Sequence, residues 1–203
     1  MFTGLIQAVG KVTALRRGGR GARLALQAPL PGGPLEDGES IAVDGACLTV
    51  ARRVRGGFEA DLSEETLVRT TAGSWRPGRR VNLERSLTPS TRMGGHFVQG
   101  HIDGRGKVRS LVAGSGQATL RVETPAALRH LIAEKGSVAV DGISLTVSAR
   151  GRGWFEAALI PHTLAATNLS DRKPGDSVNL EVDLIARYLE SLLEARGPAR
   201  RDR

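Results

Sequence analysis

An internal duplication constrains this chain more than any other feature. The stretch Ser40-Ile41-Ala42-Val43-Asp44-Gly45-Ala46-Cys47-Leu48-Thr49-Val50 returns as Ser137-Val138-Ala139-Val140-Asp141-Gly142-Ile143-Ser144-Leu145-Thr146-Val147, always 97 positions on (Asp44 to Asp141). The same spacing carries Phe58-Glu59-Ala60 onto Phe155-Glu156-Ala157 and Thr66-Leu67 onto Thr163-Leu164. It also carries Pro77-Gly78 onto Pro174-Gly175, and Val81-Asn82-Leu83-Glu84 onto Val178-Asn179-Leu180-Glu181. Gly10-Lys11-Val12 matches Gly106-Lys107-Val108 at a spacing of 96, so one residue was gained or lost between the halves. The 203 residues therefore form one unit of about 100 residues used twice. Solenoids need three or more shorter repeats and are excluded. What the halves share is scaffold and pocket; where they differ, two equivalent pockets can take different tasks.

Within each half the signals are those of strands. Residues 40–43, 47–51, 57–62 and 80–84 are short, rich in Val and Leu and partly alternating, with Asp44-Gly45, Gly56-Gly57 and Pro77-Gly78 between them. Asp-Gly is a strong hairpin dipeptide because glycine readily takes the positive φ that such turns require. About six short strands per half without long crossover helices predict a small closed antiparallel barrel, which leaves no open sheet edge. Helices are few: the pattern predicts one over 124–136, with Thr124 as N-cap, Pro125 at the first helical position and Gly136 as the stop. Short turns of helix are predicted over 63–70 and 162–167. From Asp183 onward Leu184, Ile185, Tyr188, Leu189, Leu192 and Leu193 form one broad apolar face, suited to covering a barrel end or, as the favoured reading, to meeting copies of itself. The linker between halves runs over 88–95, and the tail beyond Gly197-Pro198 is expected to be a charged, disordered end.

Composition narrows the function classes. One cysteine, Cys47, excludes an internal disulfide and fits a reducing cytosol. The opening residues lack the basic run and apolar core of a signal peptide, and no apolar stretch reaches membrane-span length; the expectation is a soluble, cytoplasmic protein. A net charge of +8 (29 basic against 21 acidic residues) raises the question of nucleic acid. The arginines are scattered, however, and no aromatic residues interleave with them as stacking platforms, so no nucleic-acid partner is expected. Zinc is disfavoured with a single cysteine and four histidines, and His96 and His101, five apart on an extended segment, would point to opposite faces. Neither a P-loop nor a Gly-x-Ser-x-Gly elbow is present.

Aligned across the repeat, Cys47 faces Ser144, Ala46 faces Ile143, Asp61 faces Ala158, Glu65 faces His162 and Ser86 faces Asp183, while Leu5 faces His101. The second half thus carries His101, Lys135, Ser144 and Asp183, and the first half carries the thiol.

Four motifs in order carry a resemblance: Met1-Phe2-Thr3-Gly4-Leu5-Ile6, the Asp44 to Val50 segment, Gly94-Gly95-His96-Phe97-Val98-Gln99-Gly100-His101-Ile102-Asp103, and the Asp141 to Val147 segment. Together with the tandem repeat they resemble the riboflavin synthase family of the alpha-chain type, from Met1 to about Leu193. The resemblance implies an all-β fold of two tandem six-stranded Greek-key barrels, over 1–95 and 96–183, followed over 184–203 by a C-terminal oligomerisation helix and basic tail. Each barrel would bind one 6,7-dimethyl-8-ribityllumazine. Three chains would associate through the C-terminal helix, with the active site between the first barrel of one chain and the second barrel of another. Two lumazines would yield riboflavin and 5-amino-6-(ribitylamino)uracil by transfer of a four-carbon unit, without cofactor or metal, and an association with lumazine synthase is a further implied partner.

Carried over position by position, the resemblance places lumazine contacts of the first barrel on Gly4, Leu5 and Ile6, on Cys47, Leu48 and Thr49, and on Asp61, Leu62, Ser63, Glu64, Glu65 and Thr66. In the second barrel they fall on Gly100, His101 and Ile102, on Lys135, on Ser144, Leu145 and Thr146, and on Ala158, Leu159, Ile160, Pro161, His162 and Thr163. Ser40, Cys47, His101, Ser144, Thr146 and Asp183 match residues implicated in catalysis. His101 is the natural proton carrier, and Cys47 a candidate to add to C7 or to position water. Ala46 departs from the pattern, since some relatives carry a second cysteine there. The rival reading is a non-catalytic lumazine- or flavin-binding antenna protein, which would bind without turnover.

Overall fold

Alternation of buried and exposed residues shapes the strands. β2 (Gly21–Gln27) buries Ala22, Leu24 and Leu26 and turns Arg23 and Gln27 outward. Its partner in the repeat, β9 (Ala118–Glu123), buries Ala118, Leu120 and Val122. The structure, a computed structural model, describes residues 1–195; the charged tail expected after Gly197 lies outside the described residues.

In the first half, β1 (Ala8–Gly18), β2, β3 (Ser40–Val43), β4 (Ala46–Thr49), β5 (Arg52–Val54), β6 (Gly57–Ser63) and β7 (Arg80–Arg85) pair in the order β4-β3-β7-β1-β2-β6-β5. In the second, β8 (Gly104–Ala113), β9, β10 (Ser137–Val140), β11 (Ile143–Gly151) and β12 (Trp154–Leu159) close into a barrel with β13 (Ser177–Val182), in the order β10-β11-β12-β9-β8-β13. The second half is the expected six-stranded closed barrel, and the first repeats its antiparallel order as a seven-stranded sheet, with β4 and β5 at its two edges together standing where β11 stands. β11 carries a bulge between Val147 and Ala149, and at the equivalent place the first half breaks its strand. Ala51 N there donates to Glu59 O at 2.8 Å, carrying the hydrogen bonding across the break. Each barrel holds its own apolar core, one around Leu24, Ile41, Phe58 and Leu83, the other around Leu120, Val140, Phe155 and Leu180.

The short helices form as expected: α1 (Glu64–Arg69), N-capped by Ser63 Oγ accepting from Thr66 N, and α2 (Pro161–Ala166). α3 (Leu184–Ala195) follows β13. The helix predicted over 124–136 does not form; a 3₁₀ turn at Ala126–Leu128 is all that is helical. The segment is stitched to the barrel at both ends, by Thr124 N to Gly153 O (3.0 Å) and by Lys135 N to Val147 O (2.8 Å). Arg129 Nε takes the Thr124 carbonyl, and Leu128 and Ile132 are both drawn into the core, so tertiary packing overrides the local pattern. Among the described residues no helix is long and apolar enough to cross a membrane.

The halves meet on a pseudo-twofold axis. Asp44 and Asp141 have positive φ (44° and 46°), as do Gly45 and Gly142 (82° and 79°), the signature of type I′ turns. The two turns touch: a Cβ on Gly45 would stand 2.7 Å from Gly142 N. Asn82 Nδ2 donates to Asp141 O (3.0 Å) and Asn179 Nδ2 to Asp44 O (2.8 Å). Each carboxylate in turn accepts from the asparagine amide of its own half, Asn82 N to Asp44 Oδ1 and Asn179 N to Asp141 Oδ1. Arg172, itself buried, donates to Asp141 Oδ2 through Nε and Nη2 and reaches Asp44 Oδ2 at 3.5 Å.

Glu84 and Glu181, two residues beyond those asparagines, are both 3% exposed. Burial raises both carboxyls, Glu181 to about 7, against the bonds it accepts from Gln99 N and Gly100 N. A carboxyl raised in the folded state contributes stability that is full below its unfolded pKa and is lost as pH rises through its folded value. The denaturation midpoint of the parent should therefore fall more between pH 5 and pH 8 than that of Glu181→Gln, with a difference in slope of up to about 1.4 kcal/mol per pH unit. Parallel pH profiles in urea melts would remove the Glu181 carboxyl from this account.

Candidate functional site

The opening segment of each half crosses to the other half. Phe2 and Val98 form an antiparallel bridge at the axis (Phe2 N to Val98 O 2.7 Å, Val98 N to Phe2 O 3.2 Å), with Phe2 fully buried beside Ala42 and Ala139. Beyond the bridge, Gly4 O accepts from Ser144 N (2.8 Å) and Gly100 O from Cys47 N (2.9 Å). Glu84 clamps the first crossing through Thr3 N, Thr3 Oγ1 and Gly4 N, and Glu181 clamps the second through Gln99 N and Gly100 N. Gly4, Leu5 and Ile6 therefore lie on the second barrel, and Gly100, His101 and Ile102 on the first. This reverses the barrel assignment expected from sequence, and the bridge at Phe2 is the physical reason. Both glycines have positive φ (76° and 82°), and a Cβ on Gly100 would stand 2.5 Å from Cys47 Cβ.

The first barrel carries a cavity of about 360 Å³. β4 supplies Ala46 and Cys47, α1 supplies Glu65, Thr66 and Arg69, the crossing supplies Gly100 to Asp103, and α3 supplies Arg187. Cys47 and His101, from opposite halves of the sequence, thus share one wall. Cys47 is half-buried and a free thiol. The cavity lies outside the barrel: on β4 Leu48 points into the core while Cys47 and Thr49 face outward, and on β11 Leu145 points in while Ser144 and Thr146 face outward.

At the equivalent place on the second barrel, Ser144 Oγ lies 2.7 Å from His96 Nδ1. Burial lowers the His96 imidazole, opposed by the nearby Asp183 carboxylate, so the ring is held toward its neutral form, in which Nδ1 can accept the hydroxyl proton. Its Nε2 is buried without a partner. Sequence reasoning weighed His96 only as a metal ligand and missed this pair. No signal in the sequence marks the pair; in the structure the glycine before His96 permits it, since a Cβ on Gly95 would meet Thr3 O at 2.0 Å and Ser144 Cβ at 3.0 Å. Among the described residues no group of three or more His, Cys, Asp or Glu side chains is placed to hold a metal ion.

The other candidate residues scatter around these two places. Leu62 and Leu159, like Leu48 and Leu145, are core residues and can offer a ligand only backbone. Asp61 pairs with Arg23 and lines a separate groove with Arg16, Arg52 and Glu59. Ser63 is committed to capping α1, beside exposed Glu64. Ser40 pairs with Thr49 at the start of β3, outside the cavity lining. Lys135 occupies a left-handed turn (φ 63°), and Asp183 Oδ1 accepts from Ile185 N at the start of α3. Ala158, Ile160, Pro161 and His162 are exposed around the end of β12 and α2, with Thr163 half-buried behind them.

Gly100→Ala should force the crossing away from β4, since it adds a left-handed alanine to a 2.5 Å clash. The expected cost is about 1–3 kcal/mol of stability together with loss of ligand affinity at the first barrel. A melting temperature and an affinity both equal to the parent's would show that the crossing does not need the close approach.

The lumazine binding domain model matches residues 3–86 and again 99–183. The riboflavin synthase of Mycobacterium tuberculosis is 44% identical over 97% of this chain and 100% of its own length. That of Photobacterium leiognathi is 41% identical over 96% of this chain and 89% of its own, and that of Bacillus subtilis 34% over 95% and 90%. Among solved structures, LumP complexed with 6,7-dimethyl-8-(1'-D-ribityl) lumazine superposes with a TM-score of 0.79 at 21% identity, covering 90% of this chain and 99% of its own. LumP complexed with riboflavin gives 0.81 at the same identity and coverage. At that identity the likeness speaks to the fold alone.

Proposed function

This chain belongs to the riboflavin synthase family of tandem lumazine-binding domains, and from that premise we propose that it converts two molecules of 6,7-dimethyl-8-ribityllumazine into riboflavin and 5-amino-6-(ribitylamino)uracil. The observation that carries this reading is the meeting of Cys47 and His101 in the first-barrel cavity, in a chain similar to riboflavin synthases over nearly its whole length. Two copies of one substrate call for two homologous pockets, and the duplication supplies them. One lumazine gives up a four-carbon unit and the other receives it, so the pockets need unlike chemistry.

The differences between the halves provide that. One place has a thiol, Cys47, with His101 beside it; the other has a hydroxyl, Ser144, with His96 beside it. One lumazine must lose a proton from its 7-methyl group, and His101, exposed on the cavity wall, is placed to carry it. The second lumazine, stacked against the first where the two places face each other, must be attacked at C7, and there Cys47, reaching across from the first-barrel cavity, or a water held by the neighbouring hydroxyls acts as nucleophile. Most of the acceleration comes from holding the two rings face to face, which turns an encounter into a near-unimolecular step.

For the rings to meet, the first-barrel cavity of one chain faces the second barrel of another. Assembly as a trimer through α3 accounts for the apolar face that this helix leaves open: Ile185, Tyr188, Leu189, Leu192 and Leu193 are all more than half exposed. Leu192→Glu should lower the mass measured by light scattering to that of a monomer and abolish turnover with it. A variant that keeps both mass and turnover would show that the helix face is not the contact.

The direct test is to incubate the protein with the lumazine and no added cofactor. One mole of riboflavin per two moles consumed is expected, slowed at least about a hundredfold in His101→Ala while lumazine affinity holds. Tight binding without turnover would instead make this a binding protein; equal rates in parent and His101→Ala would remove that residue from the chemistry.

A further inference from the structure

α3 contributes one side chain to the first-barrel cavity, Arg187, and this arginine has no counterpart in the repeat. No residue of α3 is buried, and among the described residues its side chains make two ion pairs to the rest of the chain, Arg187 with Asp103 and Glu190 with His130. Asp103 is not a surface partner: its side chain is 8% exposed, and its Oδ2 accepts from Val182 N at 2.8 Å. Its own amide donates to Leu180 O. Asp103 therefore ends the crossing that Glu181 clamps at Gln99 and Gly100, and His101 stands between these two anchors. Two carboxylates, Asp103 and Glu181, bracket the crossing, and the charge of Arg187 acts on both. Without it, two buried carboxyls would repel one another at the segment that presents His101.

We propose that Arg187 is a positioning residue, which through Asp103 fixes the crossing that holds His101 in the first-barrel cavity and so couples the seating of the C-terminal helix to the competence of the cavity. This inference rests on the riboflavin synthase reading above. It gives α3 a task beyond assembly: a chain whose helix is unseated has a cavity whose proton carrier is loose. The pair acts as a latch from the helix onto the catalytic segment. The other link, Glu190 with His130, ties the helix to the loop before β10 and lies outside the cavity lining.

A double-mutant cycle on the full-length protein tests this, with Arg187→Gln, Asp103→Asn and both together, each checked first for unchanged mass. Each single substitution should lower kcat for riboflavin formation about tenfold at saturating lumazine, and the double variant should be no slower than the slower single one. Arg187→Lys, which keeps the charge, should recover most of the loss. Riboflavin affinity, read by fluorescence, should change far less than kcat. Additive losses in the double variant, or a coupling seen in melting temperature but not in kcat, would overturn the proposal, as would loss of assembly in Arg187→Gln with full activity in Asp103→Asn. A parent that makes no riboflavin defeats the proposed function itself, is seen before any variant is made, and takes this inference with it.

Discussion

Asp44 and Asp141 lie side by side on the pseudo-twofold axis with their side chains wholly buried, and the hydrogen bonds between the halves converge on their turns. Burial and the neighbouring Asp141 carboxylate push Asp44 above the usual carboxylate range, while Arg172 and Arg79 pull it back. Buried ion pairs of this kind are poor sources of net stability, because the cost of removing charges from water offsets most of the attraction. They are strict about geometry, however, since removing one partner strands another. Thr71 N and Asn168 N, donating to Asn179 Oδ1 and Asn82 Oδ1, complete a network in which each half satisfies polar groups of the other. The joint thus sets one relative placement of the barrels rather than a sliding apolar contact.

That placement decides where the functional groups fall. With the turns locked at the axis, Phe2 and Val98 are brought into register, and each opening segment is handed to the opposite barrel. Each candidate place is then composite, one wall from a barrel and one from the other half's crossing. Duplication alone would give two equal places. The crossings make them unequal, because His101 arrives beside Cys47 and Leu5 beside Ser144, while Arg69 of α1 faces the cavity where the second half has Ala166.

Much of this was legible in the chain. The repeat spacing identified two units, Val and Leu alternation gave strands, and Asp44-Gly45 and Asp141-Gly142 gave turns of the type observed. The helix expected over 124–136 failed because the signals for it were local, whereas the segment is held by contacts with β11 and the turn before β12, which lie later in sequence. The exchange of opening segments was invisible for a similar reason: alignment of repeats pairs equivalent residues but says nothing about which barrel they touch. The repeated Val-Asn-Leu-Glu motif did carry a hint, since an asparagine and a glutamate inside an apolar strand must find buried partners. The His96–Ser144 pair had no counterpart in the first half to draw attention to it.

On the proposed function, one duplicated barrel supplies two unlike places for the same ligand. The most direct measurement is a calorimetric titration with a lumazine analogue that lacks the 7-methyl protons and so cannot turn over. Two binding events per chain with distinct affinities are predicted, and blocking Cys47 with a thiol reagent should remove one while leaving the other. A single event per chain, or two identical events both lost on blocking Cys47, would contradict the account.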